Sequence, residues 1–312
     1  MSREELIDTT RAILAKAGFD VSSVLNLRSI CFDIVGKKDD SLLIIKVLTN
    51  IDAFSRSNAD EMKILADALG ANPLLVGDNS SSGPLEEGII YSRFKIPIIS
   101  NKTLAEHLLE EVPPFIFAAP GGFYVRISGD TLRDLREGGV SLGTLAETAG
   151  VSRRTIQMYE TGMGAMIDAA LRLEEFLKVP LIEPLNPFEY KPDANKKDCP
   201  LKTDVDSQPL NHMAGIGFVV SPVVKSPFEA VSQSPKMTLL TGIGSGEEKI
   251  VQKALIAAEI ARIVGRRSLL IVEKMPSSDR IDTTAIISKE ELSRIDDQSQ
   301  LTDIVMSRST KR

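Results

Sequence analysis

Residues 141–162 read SLGTLAETAGVSRRTIQMYETG, and the spacing inside this stretch decides how the middle of the chain folds. Ser141 precedes a run, 142–149, in which Leu145 and Ala146 fall on one helical face, and its hydroxyl suits the open N–H groups of a first turn. Gly150-Val151 breaks that run. Ser152 then caps a second helix through Tyr159, with Ile156 turned inward and Gly162 as its stop. Upstream, 130–137 is helical and halted by Gly138-Gly139. Downstream, 166–177 offers Ala170, Leu171, Leu173, Phe176 and Leu177 to the same core. Two short helices joined by a tight glycine-containing turn are a helix-turn-helix signature.

In register, the Leu-Ala pair at 145–146, the Gly-Val-Ser turn at 150–152, the inward Ile156 and the closing Tyr-Glu-x-Gly at 159–162 resemble the helix-turn-helix of phage repressors of the lambda repressor and Cro type. With the wording REGGVSLGTLAE at 136–147, the whole layout also resembles a group of archaeal transcriptional regulators in which such a module lies between two α/β segments. What the resemblance implies is a transcription regulator with double-stranded DNA as partner and helix 152–159 in the major groove. Ser141 and Leu142 at one helix start, and Ser152 at the next, would meet phosphates. Arg153, Arg154 and Met158 would face base edges, with Thr155 and Gln157 as further contacts. Arginine suits guanine O6 and N7, each bidentate pair adding about 1–3 kcal/mol of discrimination. The side chains of Leu142, Leu145, Ala146, Val151 and Ile156 are core, and Tyr159 and Glu160 are structural.

Charge sets a bound on that reading. The chain of 312 residues carries 37 Lys+Arg against 43 Asp+Glu, a net of −6. Residues 128–180 hold six basic and eight acidic side chains, 1–127 hold 13 and 17, and 181–312 balance at 18 each. An acidic chain does not coat nucleic acid, because counterion release needs clustered Lys and Arg. DNA contact is thereby restricted to a short recognition helix, doubled in a homodimer that reads a two-fold operator. Cys31 and Cys199 are too far apart in sequence for a metal or redox motif, which fits a reducing cytoplasm. No apolar run approaches the roughly 18 residues of a membrane span, and MSREELIDTT is too charged for a signal peptide.

The flanks read as α/β. Residues 1–126 give a helix at 4–18, a hairpin from 29–35 and 42–48 across the polar turn 36–40, a helix at 55–69, short strands at 73–76 and 88–91, and a helix at 103–109. Residues 183–210 form a proline-rich linker. Residues 211–312 resume with strands at 237–241, 268–272 and 284–288 around a helix at 247–264, and 226–235 as a turn. The fold class is thus an all-helical module, 127–182, between two α/β domains. PLLVGD at 73–78 against SLLIVEK at 268–274, and PIISNKTLAEHL at 97–108 against TAIISKEELSRI at 284–295, read as an internal duplication or as the recurrence any α/β domain allows.

The order of the first flank is similar to the restriction-endonuclease-like fold, whose site pairs an Asp with Asp/Glu-x-Lys on the next strand around a divalent metal. Asp33 and Lys46 stand where that site wants them, but Ile44 occupies the place of the second acid, so no metal or cofactor is expected and no catalysis. Asp33 would then close a strand and Lys46 would be an edge-strand charge. TGIGSGEEK at 241–249 matches neither phosphate-loop template. His107 and His212 are isolated packing or surface residues. In the regulator reading the α/β flanks dimerise or sense an unknown effector; a metal-dependent nuclease and a protein-interaction adaptor of the basal transcription machinery are the rival functions.

Overall fold

Ser2 starts the first helix reciprocally: its hydroxyl accepts the Glu5 N–H while the Glu5 carboxylate accepts the Ser2 N–H, and α1 (Arg3–Lys16) follows. We describe the protein from a computed structural model that covers residues 1–23, 30–190, 207–244 and 247–309. The chain continues through β1 (Asp20–Val21), β2 (Ile34–Lys38), β3 (Ser41–Asn50) and α2 (Arg56–Leu69), which Gly70 ends at φ +67°. Next come β4 (Asn72–Ser80), the short β5 (Gly83–Pro84), β6 (Ile89–Arg93), β7 (Ile96–Ile99) and α3 (Asn101–Leu109). Six of these strands lie in the order β1-β2-β3-β4-β7-β6, with β3-β4 and β4-β7 parallel and the other pairs antiparallel.

The last third repeats this plan. After α8 (Ser207–Gly215) it runs β12 (Val219–Pro222), β13 (Ala230–Gln233), β14 (Thr238–Gly244), α9 (Glu247–Val264), β15 (Arg267–Val272), β16 (Arg280–Ile281), β17 (Thr284–Ser288), α10 (Lys289–Leu292) and α11 (Gln298–Ser309), with β8 to β11 and α4 to α7 lying in the middle segment described below. Its sheet order is β12-β13-β14-β15-β17-β16, with only β14-β15 and β15-β17 parallel. The registers agree as well. Leu75 faces Ile98 and Val76 faces Ile99, as Leu270 faces Ile286 and Ile271 faces Ile287. Ser100 and Ser288, each closing an Ile-Ile-Ser run, cap the helix that follows.

The two halves are packed into one core. α9 lies on β2 and α2 lies on β13, so each long helix covers the other half's hairpin. Met62 and Leu65 of α2, Ile260 and Val264 of α9, Ile44 of β3, Leu240 of β14 and Phe228 form one buried cluster. Polar contacts cross the same seam: Glu61 accepts the Val224 N–H at 3.0 Å, Gln233 donates to the Ala68 carbonyl at 2.9 Å, and Arg262 pairs with Asp20 at 2.5 Å.

Between the halves, β8 (Ile116–Ala119) pairs parallel to β6, with Ile89 opposite Ile116, and turns back as β9 (Gly122–Ile127). Then come α4 (Gly129–Glu137), α5 (Leu142–Ala149), α6 (Arg153–Glu160), β10 (Ala165–Met166), α7 (Ile167–Leu177) and β11 (Ile182–Glu183), with β10 and β11 both paired to β9. Val125 and Ile127 join Leu132, Leu145, Ile156, Tyr159 and Leu173 in the core of this segment. The helical module thus includes a β-hairpin that its helical spacing does not announce, and that hairpin ties it to the first sheet.

Three expectations are corrected. Residues 183–190 are not linker: Ile182 and Glu183 extend a sheet, Leu185 is buried and donates to the Pro114 carbonyl at 2.7 Å, and the rest of the proposed linker up to Asp206 lies outside the described residues before α8 begins. Proline spacing misleads here because a strand as short as Ile182–Glu183 needs only an open strand edge to pair. The turn assigned to 226–235 contains β13, too short to show alternation yet paired on both sides. Lys46 is not an edge charge, since β3 lies between β2 and β4, and its partner Asp33 precedes β2 rather than closing a strand.

Phe228→Ala is expected to cost about 3–5 kcal/mol, as large-to-small changes in a close-packed core do. Hydrogen exchange should accelerate in β2 and β3 as much as in β13 and β14; acceleration confined to the last third would contradict a common core.

Candidate nucleic-acid interface

Each helix of the turn is begun by a serine in extended backbone. Ser141 Oγ accepts the Thr144 N–H at 3.1 Å and Ser152 Oγ accepts the Thr155 N–H at 3.0 Å. Gly150 ends α5 at φ +69°, a left-handed conformation that lets the chain reverse within two residues. Val151 N–H then bonds the Ala146 carbonyl at 2.9 Å, closing the connection.

α6 has two unlike sides. Ile156, Tyr159 and Glu160 are buried, whereas Ser152, Arg153, Arg154, Gln157 and Met158 are exposed, Met158 at 42%. Exposed thioether and guanidinium groups therefore share one solvent face with an amide, a mixture suited to base edges and thymine methyls. Arg153 folds back toward α5: a Cβ on Gly143 would lie 3.2 Å from its guanidinium Nη2. That brings Arg153 to the first turn of α5, beside exposed Ser141, where a phosphate would meet a charge and open N–H groups together. Thr155 is half-buried, with its hydroxyl 2.8 Å from Ser152 Oγ and its side chain lining a cavity, so it is set apart from the exposed row. Leu142 is half-buried against the core, leaving its backbone at the helix start as what it can offer.

Glu160 holds the module together. It is 8% exposed, and Arg136 of α4 donates Nε to its carboxylate at 2.6 Å while Arg133 donates to its main-chain carbonyl at 2.7 Å. The carboxylate in turn holds the Arg136 guanidinium above its ordinary pKa. α4 approaches α6 closely at Gly129, where a Cβ would stand 2.7 Å from the Glu160 carbonyl oxygen.

The nuclease-like residues form a different kind of site. Asp33, 4% exposed, accepts Arg3 Nη2 at 2.6 Å, Lys46 Nζ at 3.2 Å and the Val47 N–H at 2.8 Å. Lys46, 7% exposed, also donates to the Ile30 carbonyl at 2.9 Å. One carboxylate thus faces two cations, and Ile44 is buried apolar surface where a second acid would stand. Such a set does not fit a divalent metal, which needs acidic oxygens in excess of positive charge. Among the described residues no group of three or more His, Cys, Asp and Glu could hold a metal. Cys31 nearby is buried, and burial followed by the Glu61 charge pushes its thiol up to about 12, away from nucleophilic use.

The matching position in the last third carries the same clip with different parts. Asp33 N–H bonds the Ile45 carbonyl at 2.8 Å, and Glu229 N–H bonds the Thr241 carbonyl at 2.9 Å. Glu229 accepts the Ile243 N–H at 2.6 Å, as Asp33 accepts that of Val47. Its lysine comes from α9, Lys253, which pairs with Glu229 and donates to the Ile243 carbonyl at 2.7 Å. The glycines of TGIGSGEEK are packing residues where described: a Cβ on Gly242 would lie 2.8 Å from Leu270. His212 bonds the Ile295 carbonyl at 2.9 Å, and His107 sits edge-on to Phe188.

Gly129→Ala should cost about 1–3 kcal/mol, since overpacking against rigid backbone must push α4 from α6. Urea titration followed by circular dichroism reads it, and a variant as stable as the parent would contradict the close approach.

Comparison with known proteins matches both segments to known families. Residues 3–114 match the PD-(D/E)XK superfamily domain, and residues 132–183 match a helix-turn-helix family. A protein of Methanocella arvoryzae is 39% identical, covering 100% of this chain and 98% of its own length. One from Natronomonas pharaonis is 36% identical over 99% of each chain, and one from Halobacterium salinarum is 37% identical over 99% of this chain and 98% of its own. All three are provisionally named HTH-type transcriptional regulatory proteins. No solved structure matches the chain. Among the described residues no helix is long and apolar enough to cross a membrane. With relatives this similar along its whole length, the chain belongs to this archaeal family of DNA-binding helix-turn-helix transcriptional regulators.

Proposed function

We propose that the protein reads a specific operator by laying α6 in the major groove of double-stranded DNA, and that it does so as a homodimer in the cytoplasm. The observation that carries this is the exposed row Arg153, Arg154, Gln157 and Met158 on a helix whose other side is buried. Arg154, Gln157 and Met158 take the base-reading roles, while Ser141, Leu142, Ser152 and Arg153 take phosphates through hydroxyls, helix-start N–H groups and charge. Thr155 serves the fold of the turn. Dimerisation follows from charge: a segment of net −2 releases few counterions, so two recognition helices are needed for useful affinity.

The nuclease-like half is proposed to be non-catalytic. Its support is the charge balance around Asp33 and the recurrence of the clip at Glu229 with a lysine drawn from another element, as expected where the pair ties strands together. Neither half then acts on DNA chemically, and both serve to carry and orient the helix-turn-helix.

Selection of bound sequences from random DNA should enrich inverted repeats with half-sites about 10–10.5 base pairs apart. Arg154→Ala should lower affinity for the selected site by roughly tenfold, within the range of one lost base contact. An unenriched pool would sink the reading, and Arg153→Ala/Arg154→Ala with undiminished affinity would favour an adaptor. Sedimentation showing one protomer per site would remove the dimer.

Supercoiled DNA with Mg²⁺ or Mn²⁺ should stay uncut. Asp33→Ala should lose about 3–5 kcal/mol of stability, because it strands the buried Lys46 charge, and Asp33→Leu/Lys46→Met should regain most of it. Metal-dependent cleavage abolished by Asp33→Ala would promote the enzyme instead.

A further inference from the structure

A cavity of about 680 Å³ opens beside α6, within the range of small-molecule sites. Its floor is apolar and aromatic: Phe117 and Tyr124 of the β8-β9 hairpin, stacked on each other at 5.9 Å, face Val151, Tyr159 and Met163. On its rim stand Asp168 and Arg172, one turn apart on the same side of α7. Among the described residues neither has a hydrogen-bonding or ionic partner, although the spacing would allow them to pair with each other. Arg172 instead lies over the turn, its Nη1 3.0 Å from where a Cβ on Gly150 would be. An apolar floor with one acid and one base at its edge suits a ligand with a ring-sized apolar body and a head bearing both charges.

We propose that this cavity is an effector site for a zwitterionic amphiphile of the aromatic amino-acid class. The ring lies against Phe117, Tyr124 and Tyr159, the carboxylate meets Arg172, and the ammonium meets Asp168. Because Gly150, Val151, Thr155 and Tyr159 line the cavity, an occupant touches both the turn and the inner side of the recognition helix. Occupancy therefore changes the setting of α6 relative to α5, and with it operator affinity. This regulatory consequence rests on the reading of α6 as the DNA-contacting helix; the binding itself does not.

The test is isothermal titration of the full chain, without DNA, against L-tryptophan, L-phenylalanine, 3-phenylpropionate and phenethylamine. At least one of the two amino acids is expected to bind saturably at one per chain, and each analogue lacking a charge about tenfold more weakly. Arg172→Gln should erase the advantage of phenylalanine over phenethylamine, and Asp168→Asn its advantage over phenylpropionate. Both side chains are exposed, so both variants are expected to keep the parent's circular dichroism. Saturable binding of none of the four, or binding unaltered in both variants, overturns the site. With the selected operator, saturating ligand should change affinity about fivefold or more. Ligand bound with operator affinity unchanged overturns the regulatory role, while failure to bind any DNA indicts the DNA-binding reading and leaves the calorimetric result to judge the cavity.

Discussion

The reciprocal packing of α2 on β13 and α9 on β2 is the constraint on which the rest of the molecule depends. Each half has one face of its sheet covered by its own flanking helices: Leu6, Ile7 and Leu14 of α1 and Leu104 of α3 bury one face of the first sheet. The other face is shared: α2 lies on its own β4 and α9 on its own β14 and β15, and each also reaches the partner half. The contact is isologous in kind, like that between the subunits of a two-fold dimer, but both partners are in one chain. A face that a single copy would have to bury against another molecule is thereby closed intramolecularly, with Phe228 and Met62 in the same cluster.

Within that arrangement each half holds a buried or half-buried acid paired with a lysine. Asp33 stands just before β2 and accepts an N–H from β3, as Glu229 stands just before β13 and accepts one from β14. The lysine that neutralises them comes from β3 in one half and from α9 in the other. A catalytic lysine must keep its place relative to substrate and metal. A lysine that only compensates a buried carboxylate can come from either element, because charge and hydrogen bonding are all it supplies.

The helix-turn-helix is fixed to this platform by backbone pairing. β6-β8 pairing makes one sheet of the first half and the hairpin, and β9 receives β10 and β11 from either end of α7. Val125 and Ile127 carry the sheet's inner face into the helical core. The recognition helix packs on α4 and α5, and the hairpin and α7 line the cavity beside it together with the turn.

The sequence by itself determined the elements whose signals are local. Serine caps, glycine stops and the inward Leu145, Ala146 and Ile156 set α5 and α6, because capping and helical periodicity act within a few residues. The exposed row of α6 follows from the same periodicity, and the mismatch at Ile44 was legible from spacing alone. What depended on partners distant in sequence was decided only by tertiary structure. The hairpin 116–127, β11 at the start of the supposed linker and β13 inside the supposed turn are short strands that take their identity from the edge they pair with. Lys46 read as an edge charge because burial beside Asp33 depends on strand order. Matching strings at 73–78 and 268–274 suggested a repeat, yet only the pairing registers make it one, since short apolar runs recur widely. The union of the two repeats in one core left no local trace, because each apolar face looks the same in sequence whether its own half or the other covers it.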